Sequence, residues 1–395
     1  MKIFTVAEMV AAEKTADSLG TSYANMMETA GKGVADLILQ QFSPSELRVL
    51  ILVGPGNNGG DGLVAGRYLA QAGADVAFYL THPRDPSSDD NFAQLQQMGV
   101  LALVAEYDQN FRVLRTRLSI SNLLIDALLG TGVSRPIEGK LARLLKQVQV
   151  AIRKLEAAES ETAVYPPPPI NVPALPSAEK AVTVVAVDCT SGLYCDTGAL
   201  DSAALPADIT VTFQGPKRGH FRVPGAMACG QIHVVDLNLP PKATKDVTLE
   251  LFTAQDAAKL LPNRPMDGHK GTFGKVLIMS GSADYWGAPL LAGKAAFRAG
   301  SGLVALGVPR PLRPSLVGQL PEATYPLLPE GDQFGVETVV CLHNIAHQYD
   351  ALLVGPGIGD VPQFMVGLLS QGSKLPPLVL DAAALNWLAT QAAWP

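Results

Sequence analysis

The chain has 395 residues, a length that suggests about two or three domains. Because 48% of its residues are hydrophobic and only 17% are charged, it can form a large hydrophobic core. Its net charge of −6, without any basic tract, disfavours a nucleic-acid partner held through phosphates. The four cysteines show no C-x-x-C spacing, which predicts reduced thiols in a cytoplasmic protein and argues against a disulfide framework or a zinc site. The N-terminus lacks an apolar signal core, and the most apolar long stretch, residues 290–308, carries Lys294 and Arg298, so we expect no contact with a membrane.

Two helices are predicted before the first strand. Thr5 and Glu8 have the spacing of a capping box, which predicts a helix starting at residue 6. A second helix is predicted from about Ser22 to Gln41, because Pro44 follows it closely and cannot continue it.

A glycine-rich segment, residues 54–62, follows a predicted buried strand, Arg48–Val53, and precedes a predicted helix, residues 63–72. The G-x-G-x-x-G spacing of phosphate-binding turns is met by Gly54, Gly56 and Gly59. This spacing alone is equally typical of a tight structural connection. A dinucleotide site would also place an acid after the second strand, where this chain has Thr81 and His82.

The same segment is unusually polar for a structural turn. Asn57, Asn58 and Asp61 bring three side-chain oxygens into a few residues. Their crowding favours a site for a ligand or a cation over a purely structural role.

Strand and helix patterns alternate after this segment. The predicted strands are Asp75–Leu80, Val100–Val104, Leu123–Leu129, Val184–Asp188, Asp208–Phe213 and Gln231–Asp236, and the predicted helices are Asp89–Met98 and Phe111–Leu118. Alternation of this kind predicts a parallel α/β sheet with helices on both faces and ligands at the carboxyl ends of its strands.

Two aspartates fall at such strand ends. Asp126 lies within an apolar strand and Asp188 closes another, and a buried carboxylate is costly unless it is paired or coordinates a cation. Either acid alone could instead cap a following helix. Together with the polar glycine-rich segment they form a set of hard oxygen ligands, suited to K⁺ or Mg²⁺. Arg135, in the loop after Asp126, is available for a phosphate.

The middle of the chain carries a charged, helix-like run and then a proline tract, within Ala151–Lys180. We expect a surface insertion there, and partner binding by the tract remains an open alternative. A linker is predicted at residues 240–242, and a second α/β unit follows it. Its predicted elements are a strand, Lys275–Ser280, a helix, Leu290–Ala299, and two strands ending near Gly355 and Asp381.

These motifs resemble those of the bifunctional NAD(P)H-hydrate repair enzymes. For the epimerase domain, the matching segments are Met27–Gly31, Gly54–Gly62, Asp126–Gly132, Asp188–Gly192 and residues 207–213 with Lys217. For the ADP/ATP-dependent dehydratase domain, they are His269–Gly274, Gly287–Pro289, Ala299–Leu303, Gly355–Gly359 and Asp381. The resemblance covers nearly the whole chain, in the family's order.

The resemblance implies a Rossmann-like, three-layer parallel sheet domain at residues 1–243. A partial ribokinase-like α/β domain would follow at 244–395. The implied substrates are NADHX and NADPHX, nicotinamide cofactors hydrated at C6. The first domain would interconvert their R and S forms with K+ bound. The second would dehydrate the S form with ADP or ATP. A homo-oligomer is left open.

The resemblance also assigns site residues by position. Asp188 would lie beside the nicotinamide ring, and we expect it to be the catalytic acid/base. The K+ ligands would be Asn58, Asp126 and Ser191. The substrate contacts would be Asn57, Asn58, Gly59, Gly60, Asp61, Gly130, Thr131, Gly132, Val133, Ser134, Arg135, Pro136 and Asp188, with Ala288 and Gly357 in the second domain.

The chain departs from the family pattern in two main places. Cys189 and Thr190 stand where the family usually has Ile-Pro. The family's dehydratase also continues past the equivalent of residue 395, with a His-Pro-Gly-Glu motif and a glycine-rich nucleotide loop. We therefore expect the nucleotide site to be missing and the dehydratase half to be inactive. The alternatives are a non-catalytic scaffold built on the epimerase fold and a small-molecule kinase.

Overall fold

The computed structural model describes residues 1–162 and 181–393, so the predicted proline tract lies outside the described residues. The chain divides into two compact units, Met1–Leu260 and Leu261–Pro395. Residues just after the predicted linker pair with the N-terminus, since the Ile3 amide donates to the Leu249 carbonyl at 2.9 Å. The boundary predicted at residue 243, between the two domains that the resemblance implies, stays a prediction.

The first unit is built on one parallel seven-stranded sheet. Its strands in chain order are β1 (Arg48–Val53), β2 (Asp75–Leu80), β3 (Leu101–Val104), β4 (Leu123–Ala127), β5 (Thr183–Val187), β6 (Ile209–Phe213) and β7 (Gln231–Val235). They lie in the order β3-β2-β1-β4-β5-β6-β7. The strands that follow β1 in the chain are added on one side of it as far as β3, and β4 is then added on its other side. Open α/β sheets bind ligands at such a reversal of strand order, here between β1 and β4.

Helices cover both faces of this sheet. The helices of the first unit are α1 (Val6–Ser18), α2 (Tyr23–Gln41), α3 (Asn57–Gln71), α4 (Asp90–Gln97), α5 (Arg112–Leu118), α6 (Gly139–Thr162), α7 (Gly225–Ala228) and α8 (Ala254–Leu260). Val49 and Ile51 of β1 join one core cluster with α2 and α3, while Leu50 and Leu52 join another with α5 and α6. Burial of alternate residues on opposite faces confirms the predicted three-layer α/β fold.

The first two helices form where the sequence predicted them. Thr5 caps α1, and its capping box with Glu8 is present. Ser22 caps α2, whose end at Gln41 matches the prediction.

The glycine-rich segment differs from the prediction. We predicted a turn up to residue 62, but α3 already begins at Asn57. Its glycines allow close packing: a Cβ on Gly62 would lie 2.4 Å from the Cβ of Ala127, and one on Gly60 would lie 2.6 Å from the Sδ of Met27. The polar residues of this segment therefore lie on the first two turns of a helix.

Helix α6 extends into the range predicted as an insertion. Ala151, Ile152 and Leu155 pack against the sheet cluster that also contains α5. The sheet-facing part of α6 therefore runs past the predicted start of the insertion.

The second unit contains a parallel sheet in the order β11-β10-β8-β9. Its strands are β8 (Lys275–Met279), β9 (Leu303–Gly307), β10 (Ala351–Val354) and β11 (Leu378–Leu380), and its helices are α9 (Gly287–Ala299), α10 (Arg313–Val317), α11 (Val336–Ile345), α12 (Pro362–Leu369) and α13 (Ala383–Ala389). Strand β9 was not predicted, because its apolar run is short and follows the glycine-rich end of α9.

Candidate active site

Asp126 lies on β4 with its side chain completely buried. Its carboxylate accepts hydrogen bonds from the Ser191 amide at 2.9 Å, the Ser191 hydroxyl at 2.7 Å and the Leu128 amide at 3.2 Å. Burial raises its pKa to about 6, although these three hydrogen bonds pull it down. No described residue forms an ion pair with Asp126.

Asn58, at the start of α3, presents an unsatisfied amide. Its Oδ1 and Nδ2 atoms are buried and find no hydrogen-bond partner among the described residues. A Cβ placed on Gly130, in the loop after β4, would lie 3.0 Å from Asn58 Oδ1. A buried amide without partners is costly in a folded protein, and this one is satisfied if a ligand or cation binds.

Asp188 follows β5 directly and forms an ion pair with Lys217, whose side chain is completely buried. Its Oδ1 accepts from Lys217 Nζ, from the Thr212 hydroxyl at 3.0 Å and from the Phe213 amide at 3.4 Å. Its Oδ2 has no hydrogen-bond partner within the described ranges. The carboxyl group is thus fixed through one oxygen, while the other is available to a ligand.

The backbone of Asp188 is held in an uncommon conformation. Its φ of +61° is in the left-handed region, which residues other than glycine rarely adopt. Its amide donates to the Val211 carbonyl of β6 at 2.8 Å. Strain of this kind persists where the surrounding structure enforces it, often at functional sites.

The charges around Asp188 shift neighbouring groups. Burial, the largest single cause, lowers the pKa of Lys217, but the charge and hydrogen bond of Asp188 together with the nearby Cys189 and Cys195 outweigh it, so the pKa is raised. Burial, followed by the charge of Lys217, lowers the pKa of His220 to about 4. His220 is therefore a buried neutral imidazole, whose Nδ1 accepts from the Lys217 amide at 3.2 Å.

A cavity of about 450 Å³ is lined by Asn58 and Asp188, but not by Asp126 or Ser191. The predicted residues that line it are Asn57, Asn58, Asp61, Gly130, Thr131, Gly132 and Asp188. Glu13 of α1 and Met27 of α2 line it as well. We name it the reaction cavity.

Two further acids of the reaction cavity hold protons more tightly than usual. Burial, and then repulsion from Asp188, raises the pKa of Asp61 well above its ordinary value. The same two causes, in the same order, raise the pKa of Glu13. The cavity thus combines an ion-paired carboxylate at Asp188 with two carboxyl groups that favour the protonated form, an arrangement suited to proton transfer.

Other predicted site residues lie elsewhere around the glycine-rich segment. Gly59 is buried, and a Cβ there would lie 2.1 Å from the Gly54 carbonyl. Gly60 packs on Met27 and lines a neighbouring cavity of about 880 Å³. The loop residues Ser134, Arg135 and Pro136 are exposed, Val133 is half-buried, and only Arg135 among these four lines a described cavity.

In the second unit the structure brings the two predicted contact residues together. A Cβ on Gly357 would lie 2.8 Å from the Cβ of Ala288 and 2.7 Å from that of Tyr285. Ser282 is nearby, with a buried hydroxyl that has no partner among the described residues. These residues follow β8 and β10, at the carboxyl edge of the second sheet, where open α/β sheets bind ligands.

Sequence reasoning missed several members of the first site. Lys217 was recognised only as part of a motif, and no role was assigned to Thr212, His220 or Glu13. The available signal was the presence of Thr210 and Thr212 in the otherwise apolar strand β6. Both threonines are completely buried in the structure. Glu13 gave no signal, because a glutamate on an amphipathic helix is ordinarily solvated.

Comparison with known proteins gives two family matches. Residues 23–219 match the family model described as YjeF-related protein N-terminus, and residues 276–394 match the model described as NAD(P)H-hydrate dehydratase. No helix in the described part of the chain combines the length and apolarity needed to cross a membrane.

Individual relatives match over nearly the whole chain. A bifunctional NAD(P)H-hydrate repair enzyme of Thermofilum pendens is 31% identical over 98% of this chain and 69% of its own length. One from Moorella thermoacetica is 34% identical over 92% of this chain and 65% of its own length. The crystal structure of the ADP/ATP-dependent NAD(P)H-hydrate dehydratase from Bacillus subtilis, with ATP and Mg²⁺, aligns at 31% identity and a TM-score of 0.29, over 34% of this chain and 46% of that one.

Proposed function

The chain belongs to the family of bifunctional NAD(P)H-hydrate repair enzymes, and we propose that its first unit interconverts the R and S forms of NADHX and NADPHX. The observation that carries this proposal is Asp188, whose Oδ1 is fixed by Lys217 while its Oδ2 is available to the reaction cavity. Epimerisation at C6 requires the hydroxyl to leave and return on the other face of the ring. A positioned carboxyl group can carry the proton that this exchange needs.

Asp188 is the proposed catalytic acid/base. In its protonated form Oδ2 gives a proton to the departing C6 hydroxyl, which leaves as water. The resulting carboxylate then takes a proton from the water that adds to the opposite face of the ring. Lys217 stabilises the carboxylate between these steps, because its ammonium is buried against Oδ1.

Substrate binding is assigned to the predicted residues around the reaction cavity. The nicotinamide ring lies over Asp188, and Asn57, Asn58 and Asp61 contact the hydrate. The loop from Gly130 to Pro136 takes the pyrophosphate, with Gly59 and Gly60 at the start of α3. Free amides at that helix start favour the anionic part of the substrate.

Potassium is the proposed bound cation, held by Asn58, Asp126 and Ser191. The unpartnered amide oxygen of Asn58 and the buried carboxylate of Asp126 support this donor set. The cation would supply positive charge close to the pyrophosphate.

We expect K+ to stabilise the first unit. A cation at tenfold its Kd adds about 1.4 kcal/mol to the free energy of unfolding. Thermal unfolding followed by circular dichroism in KCl and in choline chloride measures this, and Asp126→Asn should remove the difference. Asp246→Asn, at an exposed aspartate, is the matched control. Equal unfolding temperatures in both salts for the unchanged protein would contradict the assignment.

The second unit is proposed as part of a dehydratase domain, which in the family's full-length form is expected to dehydrate the S form with ADP or ATP. Its family match and the site formed by Ala288 and Gly357 support this assignment. The chain spans about two thirds of the length of the relatives described above. Dehydratase activity is measured separately, as NADPH formation from S-NADPHX with ATP and Mg²⁺.

The scaffold alternative is disfavoured by the cost of the site. A scaffold has no need of a completely buried lysine paired with a carboxylate, nor of a second buried carboxylate at Asp126.

The deciding experiment follows epimer interconversion directly. The protein is incubated with R-NADHX and K+ in the absence of ADP and ATP, and the epimers are separated by chromatography. Asp188→Asn should lower the enzymatic rate by about 100-fold or more, because the proton carrier is lost. Asp246→Asn controls for the loss of one carboxylate. A folded Asp188→Asn protein with unchanged activity would refute the assignment.

A further inference from the structure

The end of β2 lacks the acidic residue with which many dinucleotide-binding sheets bind a ribose hydroxyl. Thr81 and His82 follow the strand, and the Thr81 hydroxyl donates to the Val53 carbonyl of β1 at 3.0 Å. Proteins that bind NAD place an acid near this point to hold the ribose 2′-hydroxyl, while proteins that bind NADP accommodate the 2′-phosphate with a basic residue. The acid typical of NAD-binding proteins is therefore absent from the end of β2.

A cavity of about 290 Å³ lies at this strand end. Its wall is largely apolar, formed by Leu128 and Leu129 after β4 and by Leu141 and Leu144 of α6. This volume is close to the lower end of the range, about 300–1,000 Å³, that small-molecule pockets occupy. It therefore suits one part of a dinucleotide, with an apolar surface for an aromatic ring. We name it the side cavity.

Two cationic side chains line the side cavity. Arg135 and Lys140 line it together with His82, and no carboxylate does. Within residues 1–162 and 181–393, neither Arg135 nor Lys140 forms an ion pair or a hydrogen bond. Arg84, by contrast, is already engaged by Asp89 and the Gly54 carbonyl. Two cations without partners beside an apolar pocket are suited to a phosphate carried on an aromatic nucleoside.

The side cavity adjoins the reaction cavity. Pro55, Leu128 and Leu129 line both. The loop from Gly130 to Pro136 begins at the reaction cavity and reaches the side cavity at Arg135. A substrate with its nicotinamide over Asp188 and its pyrophosphate on this loop would bring its adenosine to the side cavity.

We propose that the side cavity binds the adenosine 2′-phosphate of NADPHX, with Arg135 and Lys140 as the phosphate contacts, so that the first unit favours NADPHX over NADHX. This inference rests on the proposed epimerase function and assigns its substrate preference. His82 occupies the place where an acid would repel the phosphate.

The test compares the two hydrates on the full chain. We expect kcat/KM for R-NADPHX to exceed that for R-NADHX by about 10-fold, the effect of one charge-assisted contact. Lys140→Met should lower this ratio by a similar factor. Lys146→Met, at another exposed lysine of α6 that does not line the side cavity, is the matched control and should leave the ratio unchanged. His82→Asp should reduce the ratio, because it adds the acid that NAD-binding proteins carry.

A direct binding measurement separates this inference from the epimerase proposal. Adenosine 2′,5′-bisphosphate and its 3′,5′ isomer carry the same charge and differ only in the position of one phosphate. The 2′,5′ isomer should bind more tightly by about 10-fold, and Lys140→Met should abolish the difference.

Equal efficiency with both hydrates would overturn the inference while leaving the epimerase proposal intact. Equal effects of Lys140→Met and Lys146→Met on the ratio would also overturn it. If neither hydrate is epimerised, the epimerase proposal fails, and equal binding of the two bisphosphates would then overturn the inference separately.

Discussion

Replacing Lys217 by methionine tests the ion pair at the centre of the candidate site. The substitution keeps most of the side-chain volume but removes an ammonium that is completely buried. The Asp188 carboxylate, the Thr212 hydroxyl at 2.8 Å and the Phe213 carbonyl at 3.3 Å all lose a donor. The variant therefore leaves a negative charge without its partner inside the protein.

The magnitude follows from the burial of the partner that remains. Breaking a buried ion pair from one side costs about 3–5 kcal/mol. The Asp188 side chain is 13% exposed, so water in the reaction cavity can solvate it in part. We therefore expect a loss near the lower end, about 3 kcal/mol, which is a large share of the about 5–15 kcal/mol that stabilises a domain.

The assay must report on the first unit alone. All three tryptophans of the chain follow residue 285, so their fluorescence follows the second unit. Hydrogen exchange of peptides from residues 183–213, measured at increasing urea concentration, follows the first unit. The tryptophan transition should stay unchanged in Lys217→Met. Lys32→Met is the control, because Lys32 belongs to an exposed ion pair on α2.

A double-mutant cycle identifies the cause of the loss. Asp188→Asn removes the charge that Lys217→Met leaves unpaired, so the double variant should be more stable than the sum of the single losses predicts, by about 1–3 kcal/mol. Additive losses, or a Lys217→Met protein as stable as Lys32→Met, would refute the account of a paired, buried carboxylate.

Two further predictions concern stability. His220 has a folded-state pKa of about 4 against an ordinary 6.5, so its contribution is present above pH 6.5 and is lost as the pH falls towards 4, by up to about 3 kcal/mol. Urea titrations at several pH values across that window give the free energy of unfolding as a function of pH. This free energy should fall less steeply with decreasing pH for His220→Asn, and an unchanged pH dependence would contradict the shifted pKa of His220. Gly31→Ala should destabilise the first unit by about 1–3 kcal/mol, because its Cβ would lie 2.5 Å from the Val64 Cβ. Gly56→Ala, with open space around it, is the control, and equal unfolding midpoints would show that α2 and α3 can move apart.

Local patterns in the sequence predict elements whose residues lie close together in the chain. The capping box at Thr5 and the strands Arg48–Val53 and Asp75–Leu80 were predicted correctly. Each depends on residues within a few positions of one another. The predicted start of α3 was wrong, because tight packing against Met27 and Ala127 lets a glycine-rich stretch remain helical. Glycine disfavours a helix by its own propensity, and tertiary contacts override it here.

The sequence by itself determined the parallel α/β class, the family resemblance, and the placement of Asp126 and Asp188 at strand ends. These follow from hydrophobic periodicity and from short motifs. Only the tertiary structure decided that Lys217 pairs with Asp188, because β5 and β6 are neighbours in the sheet. It also decided that Glu13 reaches the reaction cavity and that Asn58 is buried without a partner. Burial and charge pairing depend on which distant segments meet, and the local pattern of the chain does not specify that.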